Sequence, residues 1–233
     1  MSLFVFAFVV PVVGRERYDR IAGPALERVR EADSVVRVLD GTGSPWLRVN
    51  AELDELARQP DLEGVVVLHD DLAVLDVGAC DRLRHALADP SVAIVGLIGT
   101  TDPDGIAWWH GDAIGSLRTP HVPGGELRAP QTSGEVHAVD GSFLCLSPWA
   151  ARTLRFDPDL ARGFHGYDVD LCTQARYHGR RVVVTEIAAV HRHQPRFTDT
   201  ERWQRGQLRF AGKWTLQRTR GRAMLDHLTN ADR

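Results

Sequence analysis

The triplet His69-Asp70-Asp71 closes the apolar run Val65-Val66-Val67-Leu68. Such a run of branched residues reads as a strand buried on both faces of a parallel sheet. The C-terminal ends of those strands are where α/β folds bind ligands. Two carboxylates placed there are hard oxygen donors that suit Mg²⁺ or Mn²⁺, and such ions in turn hold phosphates. The same pair also fits a solvated turn. A second acidic pair lies in Tyr167-Asp168-Val169-Asp170-Leu171. On a helix, residues two apart point to nearly opposite sides, so only one can reach a given reactive atom. Either can instead serve the helix start, Asp170 through the favourable end of the dipole. His191 and His193 follow a late apolar run at two-residue spacing.

The chain has 233 residues, enough for one substantial core. Hydrophobic residues make up 43% and charged ones 25%, ordinary for a soluble globular protein. The formal charge of −3 argues against a nucleic-acid partner, which usually needs a basic face. Lys213 is the only lysine, so positive charge is nearly all arginine, a fork-shaped donor suited to phosphates. Cys80, Cys145 and Cys172 are widely spaced, with neither zinc spacing nor a disulfide framework, and a reducing cytoplasm is the simplest setting. The apolar run Leu3 to Val13 is too short to span a bilayer and has no basic residue before it. It reads as a first core strand, and no transmembrane segment is expected.

Elements alternate in a way that positions these groups. Strands are expected at Leu3 to Val10, Ser34 to Leu39, Val65 to Leu68 and Val92 to Ile98. Helices are expected at Arg15 to Ala32, Asn50 to Arg58 and Asp76 to Leu87. The alternation predicts a parallel sheet with crossover helices. From Gly99 to Gly134 the pattern breaks into a stretch rich in Gly, Pro, Asp and Trp, which reads as a long loop. Trp108 and Trp109 there either stack on sugar faces or pack beneath the loop. Order returns with a strand over Val136 to Leu146, a helix running to His178, a strand over Arg180 to Ile187, and a closing helix from Thr200 to Trp214. The remaining arm, with Arg218, Arg220 and Arg222, fits an oligomer contact, a membrane-surface patch or, most simply, a frayed tail.

The order of these pieces resembles a known family. It includes Asp40 at the end of the second strand, a helix led by Asn50, the acidic pair, Val139-Asp140-Gly141-Ser142-Phe143, and Phe156-Asp157-Pro158. Gly163-Phe164-His165, Tyr167-Asp168-Val169-Asp170-Leu171 and a strand running into His191 complete it. Together they resemble the nucleotide-sugar-dependent glycosyltransferases of the family-2-like group, in its short bacterial branch with a His-x-Asp metal motif. The resemblance covers residues 3 to 213. It implies a single α/β domain with a GT-A-type, Rossmann-like, mostly parallel sheet flanked by helices. That catalytic domain would occupy residues 1–214, with an Arg-rich C-terminal helical arm over 215–233.

The resemblance also implies roles. Asp40 would hydrogen-bond the base of a nucleoside-diphosphate sugar donor. Asn50 would sit at the start of the next helix by the donor, a place that N-capping explains equally well. Asp71 and the distal His191 would hold Mn²⁺ or Mg²⁺, and His69 replaces the usual first aspartate, which leaves the number of direct ligands open. His193 is the lesser substitute for His191. Asp70, the variable middle residue, points away or contacts the donor. Asp140 and Gly141 would line the sugar pocket, and His165 would meet donor or acceptor, or simply brace its loop. Asp168 would be the base that activates the acceptor, a carbohydrate or other hydroxyl compound, with inversion at the anomeric carbon. A homodimer contact, if any, belongs to the closing helix and arm.

Two other readings compete. A metal-dependent carbohydrate hydrolase or deacetylase also uses acidic residues and histidines. It usually takes its histidines from one helical face at four-residue spacing, unlike His191 and His193. A non-catalytic nucleotide-sugar-binding relative would keep the cleft without turnover.

Overall fold

The computed structural model describes residues 5–12, 14–120, 122–161, 165–192 and 200–231. Leu3, Phe4, Gly163, Phe164 and His193 lie outside the described residues. The first strand is β1 (Val5–Pro11), buried from Phe6 onward. It is followed by α1 (Arg15–Arg20) and α2 (Ala22–Val29). The single helix expected over Arg15 to Ala32 breaks at Ile21, whose backbone is non-helical (φ −120°, ψ −74°). Pro24 has no N–H to give an earlier turn, and it is tolerated because it falls in the first turn of a new helix.

Strand β2 (Val35–Leu39) is half-buried along its length, as suits a sheet edge. Helix α3 (Pro45–Leu56) begins earlier than Asn50. Pro45 occupies its first position, where a fixed φ is preorganised for helix, and Ser44 before it is held extended. Asn50 is therefore inside the helix, which corrects its expected place at the helix start. Then come β3 (Leu62–Leu68), β4 (Leu72–Val74), α4 (Ala79–Leu87), β5 (Val92–Gly96) and β6 (Ile98–Thr100).

The stretch expected as a long loop is structured. It contains a 3₁₀ turn at Trp108–His110 and two strands, β7 (Ala113–Arg118) and β8 (Glu126–Arg128). In β7 only Gly115 and Leu117 are buried, alternating with half-buried Ile114 and Ser116, and β8 has no buried position, so neither segment carries the run of branched apolar residues that marks a strand in sequence. The strand expected over Val136 to Leu146 is also several pieces: β9 (Gly134–Val136), β10 (Ala138–Val139) and β11 (Phe143–Leu146). An aspartate turn divides the last two, with Asp140 Oδ1 accepting the Ser142 amide at 3.0 Å. The order ends with α5 (Pro148–Thr153), α6 (Pro158–Ala161), α7 (Tyr167–Tyr177), β12 (Arg181–Val184), β13 (Ala189–His191) and α8 (Thr200–Ala231). Helix α8 thus continues through the arm expected to fray.

The main sheet runs β2-β1-β3-β11-β5-β12-β9. Its β1–β2, β1–β3 and β5–β12 pairs are parallel. Strand β11 lies antiparallel between β3 and β5, and β9 is antiparallel to β12. A second, curled sheet runs β10-β6-β7-β13-β4, with β8 on β7. The expected α/β class with helices flanking the sheet is what the chain adopts, with more antiparallel pairing than the sequence suggested. Trp46 of α3 is fully buried and ties three elements together. Its ring stacks on Tyr167 of α7 at 3.7 Å between centroids and on Phe156 at 4.9 Å. Aromatic pairs of this kind add about 0.5–1.5 kcal/mol beyond burial. They fix the start of α7 against the sheet, close to the end of β3.

Candidate active site

Strand β3 delivers His69, Asp70 and Asp71 into a tight turn. The His69 amide donates to Ser142 O at 3.0 Å, and the Leu72 amide returns to His69 O at 3.2 Å. The chain then enters β4, which pairs antiparallel with β13 so that Leu72 lies opposite His191. The Arg192 amide extends that ladder to Asp71 O at 2.9 Å. Sheet register, not side-chain attraction alone, is what brings two residues 120 positions apart in sequence together (Asp71 and His191).

The side chains converge. His191 Nε2 lies 3.2 Å from Asp71 Oδ1, and His69 Nδ1 lies 3.9 Å from the same oxygen. One donor atom each from His69, Asp71 and His191 falls within 4.8 Å of the others. Burial pushes the Asp71 carboxyl up, but the hydrogen bond and charge of His191, with His69 and Arg17 behind, hold it well below the usual carboxylate range. Burial lowers His191 while the Asp71 hydrogen bond and the Asp140 charge raise it, and the balance is upward. Asp70 turns to Arg17 of α1: Nη2 lies 2.6 Å from its Oδ1, while Nη1 is 3.4 Å from Asp71 Oδ2. Sequence reasoning had not singled out Arg17. Its only signal was a basic residue in the helix after the first strand.

Tyr167 and Asp168 open α7 beside this cluster. The Tyr167 hydroxyl is 2.7 Å from His69 Nε2. A side chain at Gly141 would place its Cβ only 2.3 Å from the same hydroxyl, so the position admits glycine alone without displacing Tyr167. The Gly141 amide donates to Asp168 Oδ2 at 3.1 Å. Burial, with the Asp140 carboxylate second, pushes Asp168 up to about 7 despite the amides that favour its charged form. Asp140 itself is tied to Ser142 through both its amide and its hydroxyl.

Other expected residues sit apart. Asp170 faces the opposite side of α7 from Asp168, where Lys213 Nζ (2.8 Å), Trp214 Nε1 (2.9 Å) and Gln174 Nε2 (2.8 Å) surround it. Lys213, on the closing helix, also holds Asp157 at 2.8 Å, so its charge is committed to these two aspartates. Asn50 brackets the Phe156 backbone, donating to its carbonyl and accepting from its amide, each at 2.8 Å. Asp40 is exposed at the end of β2, with Oδ1 accepting the Gly41 amide at 2.8 Å.

Residues 49–214 match the glycosyltransferase-like family. This chain belongs to that family. A relative in Streptomyces griseus, the streptomycin biosynthesis protein StrF, is 30% identical over 200 residues, spanning 83% of this chain and 69% of that protein. Among solved structures, A197 from STIV is similar at a TM-score of 0.54 and 12% identity, covering 82% of this chain and 87% of that one. The mannosyltransferase PcManGT from Pyrobaculum calidifontis, solved with GDP-Man and Mn²⁺, gives a TM-score of 0.48 at 14% identity, over 83% of this chain and 58% of that one. The likeness to A197 speaks to the fold alone. Membership of the glycosyltransferase-like family makes this chain a sugar transferase by class. Among the described residues no helix is long and apolar enough to cross a membrane.

Proposed function

We propose that this chain moves a sugar from a nucleoside-diphosphate donor to an acceptor hydroxyl, with inversion at the anomeric carbon. One observation carries the reading: the buried carboxylate of Asp168 is linked to the His69–Asp71–His191 cluster through Gly141, whose amide it accepts, and Tyr167, whose hydroxyl meets His69. The donor set fits a divalent cation, since a carboxylate and two imidazoles converge. Imidazole nitrogens favour Mn²⁺ over Mg²⁺, which prefers oxygens throughout. When bound, the cation offsets the charge gathering on the departing diphosphate, a Lewis-acid effect worth several kcal/mol.

The chain's own residues do the rest. Asp168, ionised, takes the proton of the acceptor hydroxyl as that oxygen bonds to the anomeric carbon. The bond from that carbon to the diphosphate oxygen breaks in the same displacement. A group with a pKa near 7 is well matched to this task at neutral pH, because it is both available as a base and strong enough to serve. Asp140 and Gly141, fixed by the turn before β11, line the sugar. Asp40, exposed at the edge of the sheet, is free to meet the base. Arg17 balances the two carboxylates of the turn and holds Asp70 away from the cluster.

Thermal shift with UDP, GDP and dTDP, with and without Mn²⁺, tests the proposal. A ligand at about 100 times its Kd stabilises by roughly 2.7 kcal/mol. A Mn²⁺-dependent shift with one of them is the expected result and names the base. A shift with metal but with no nucleotide would overturn the donor assignment and favour hydrolysis.

A further inference from the structure

We propose that Tyr167 is a positioning residue that sets which nitrogen of His69 faces the metal and holds that histidine in register with Asp168. The inference rests on the metal reading above and extends it to a residue outside the ligand set. The Tyr167 hydroxyl lies 2.7 Å from His69 Nε2, so that nitrogen is engaged. The other, Nδ1, is the one turned toward Asp71, at 3.9 Å. His69 is thereby presented to a cation through Nδ1, whereas His191 presents Nε2. A metal-bound imidazole donates its second N–H to an acceptor, and the tyrosine oxygen can take it. Such partners fix ring orientation and raise ligand basicity.

The tyrosine is itself held rigidly. Its ring is buried and stacked on Trp46 at 3.7 Å, and tilted against Phe156 at 6.1 Å. On the far side its hydroxyl closes against Gly141, whose amide binds Asp168. Tyr167 and Asp168 are also consecutive at the start of α7. One short, packed segment therefore locates both a metal ligand and the proposed base. A displacement of the tyrosine would shift His69 without altering any ligand.

Tyr167→Phe keeps the stacked ring and removes only the hydroxyl. Mn²⁺ affinity, read by electron paramagnetic resonance of the free ion in the full chain, is expected to fall about 10- to 100-fold. A double-mutant cycle separates positioning from packing. In a His69→Ala background, Tyr167→Phe should cost no further affinity. Unchanged affinity in Tyr167→Phe, or the same fold-loss with and without His69, would overturn the inference. Failure of the unsubstituted chain to bind Mn²⁺ would overturn the metal reading and this inference with it, and that result needs no variant to be seen.

Discussion

Asp168 carries opposite consequences for turnover and for stability. As the proposed base it must be ionised, so turnover should rise as pH passes upward through about 7. Folding meets the reverse sign. A carboxyl raised above its unfolded value favours the folded state at low pH and costs it at high pH. The cost is absent below about pH 4, where the unfolded carboxyl is also protonated, and is complete above about pH 7. Asp168→Asn should therefore lower turnover by about 10²- to 10⁴-fold. The same substitution should raise Tm over the parent at pH 8 and leave it nearly unchanged at pH 4, scanned in EDTA without nucleotide. Parent-like turnover would remove Asp168 from the mechanism, and a Tm gap independent of pH would remove the raised pKa. Metal binding carries its own pH sign. His191 is raised toward protonation, and its nitrogen must be neutral to coordinate, so Mn²⁺ affinity should weaken as pH falls. Calorimetric titration with Mn²⁺ at pH 6 and pH 8 checks this, and equal affinities would argue against His191 as a ligand.

At the scale of elements, α8 is locked to α7 by charge. Asp170 is 1% exposed and takes hydrogen bonds from Lys213 and Trp214, while Lys213 reaches Asp157 as well. Removing one partner of a buried pair leaves an uncompensated charge and costs about 3–5 kcal/mol. Lys213→Met should lose stability of that order in urea unfolding at pH 7. Its affinity for nucleoside diphosphate should remain that of the parent, because the ammonium is spent on the two aspartates. A selective loss of nucleotide binding with stability intact would instead place Lys213 at the phosphates. Asn50 plays a related part, joining α3 to the backbone of Phe156. Spacing in the sequence cannot distinguish such a brace from a ligand-facing residue, since both are polar groups in an apolar setting.

For the molecule as a whole, the three cysteines report on integrity. Cys80, Cys145 and Cys172 are free and buried, and burial pushes Cys80 up to about 11 and Cys172 up to about 12. Native chain at pH 8 should resist labelling by a thiol reagent, and labelling should follow global unfolding in urea. Prompt reaction of any one thiol would show local opening around its element. The sequence by itself determined the alternation of strands and helices through α4 and β5, because buried parallel strands must be continuous apolar runs. It also determined the acidic turn after β3 and the opposite facing of Asp168 and Asp170, because helical periodicity separates residues two apart. Only the tertiary structure decided the second sheet, since β7 and β8 are short and poor in branched apolar residues, and their stability comes from neighbours distant in sequence. It gave physical form to the pairing of His191 with Asp71 that the family resemblance implied, through the register of β4 on β13, and it alone set Tyr167 against His69, through the stack on Trp46. Those contacts depend on distances across the chain, which local propensity and spacing do not encode.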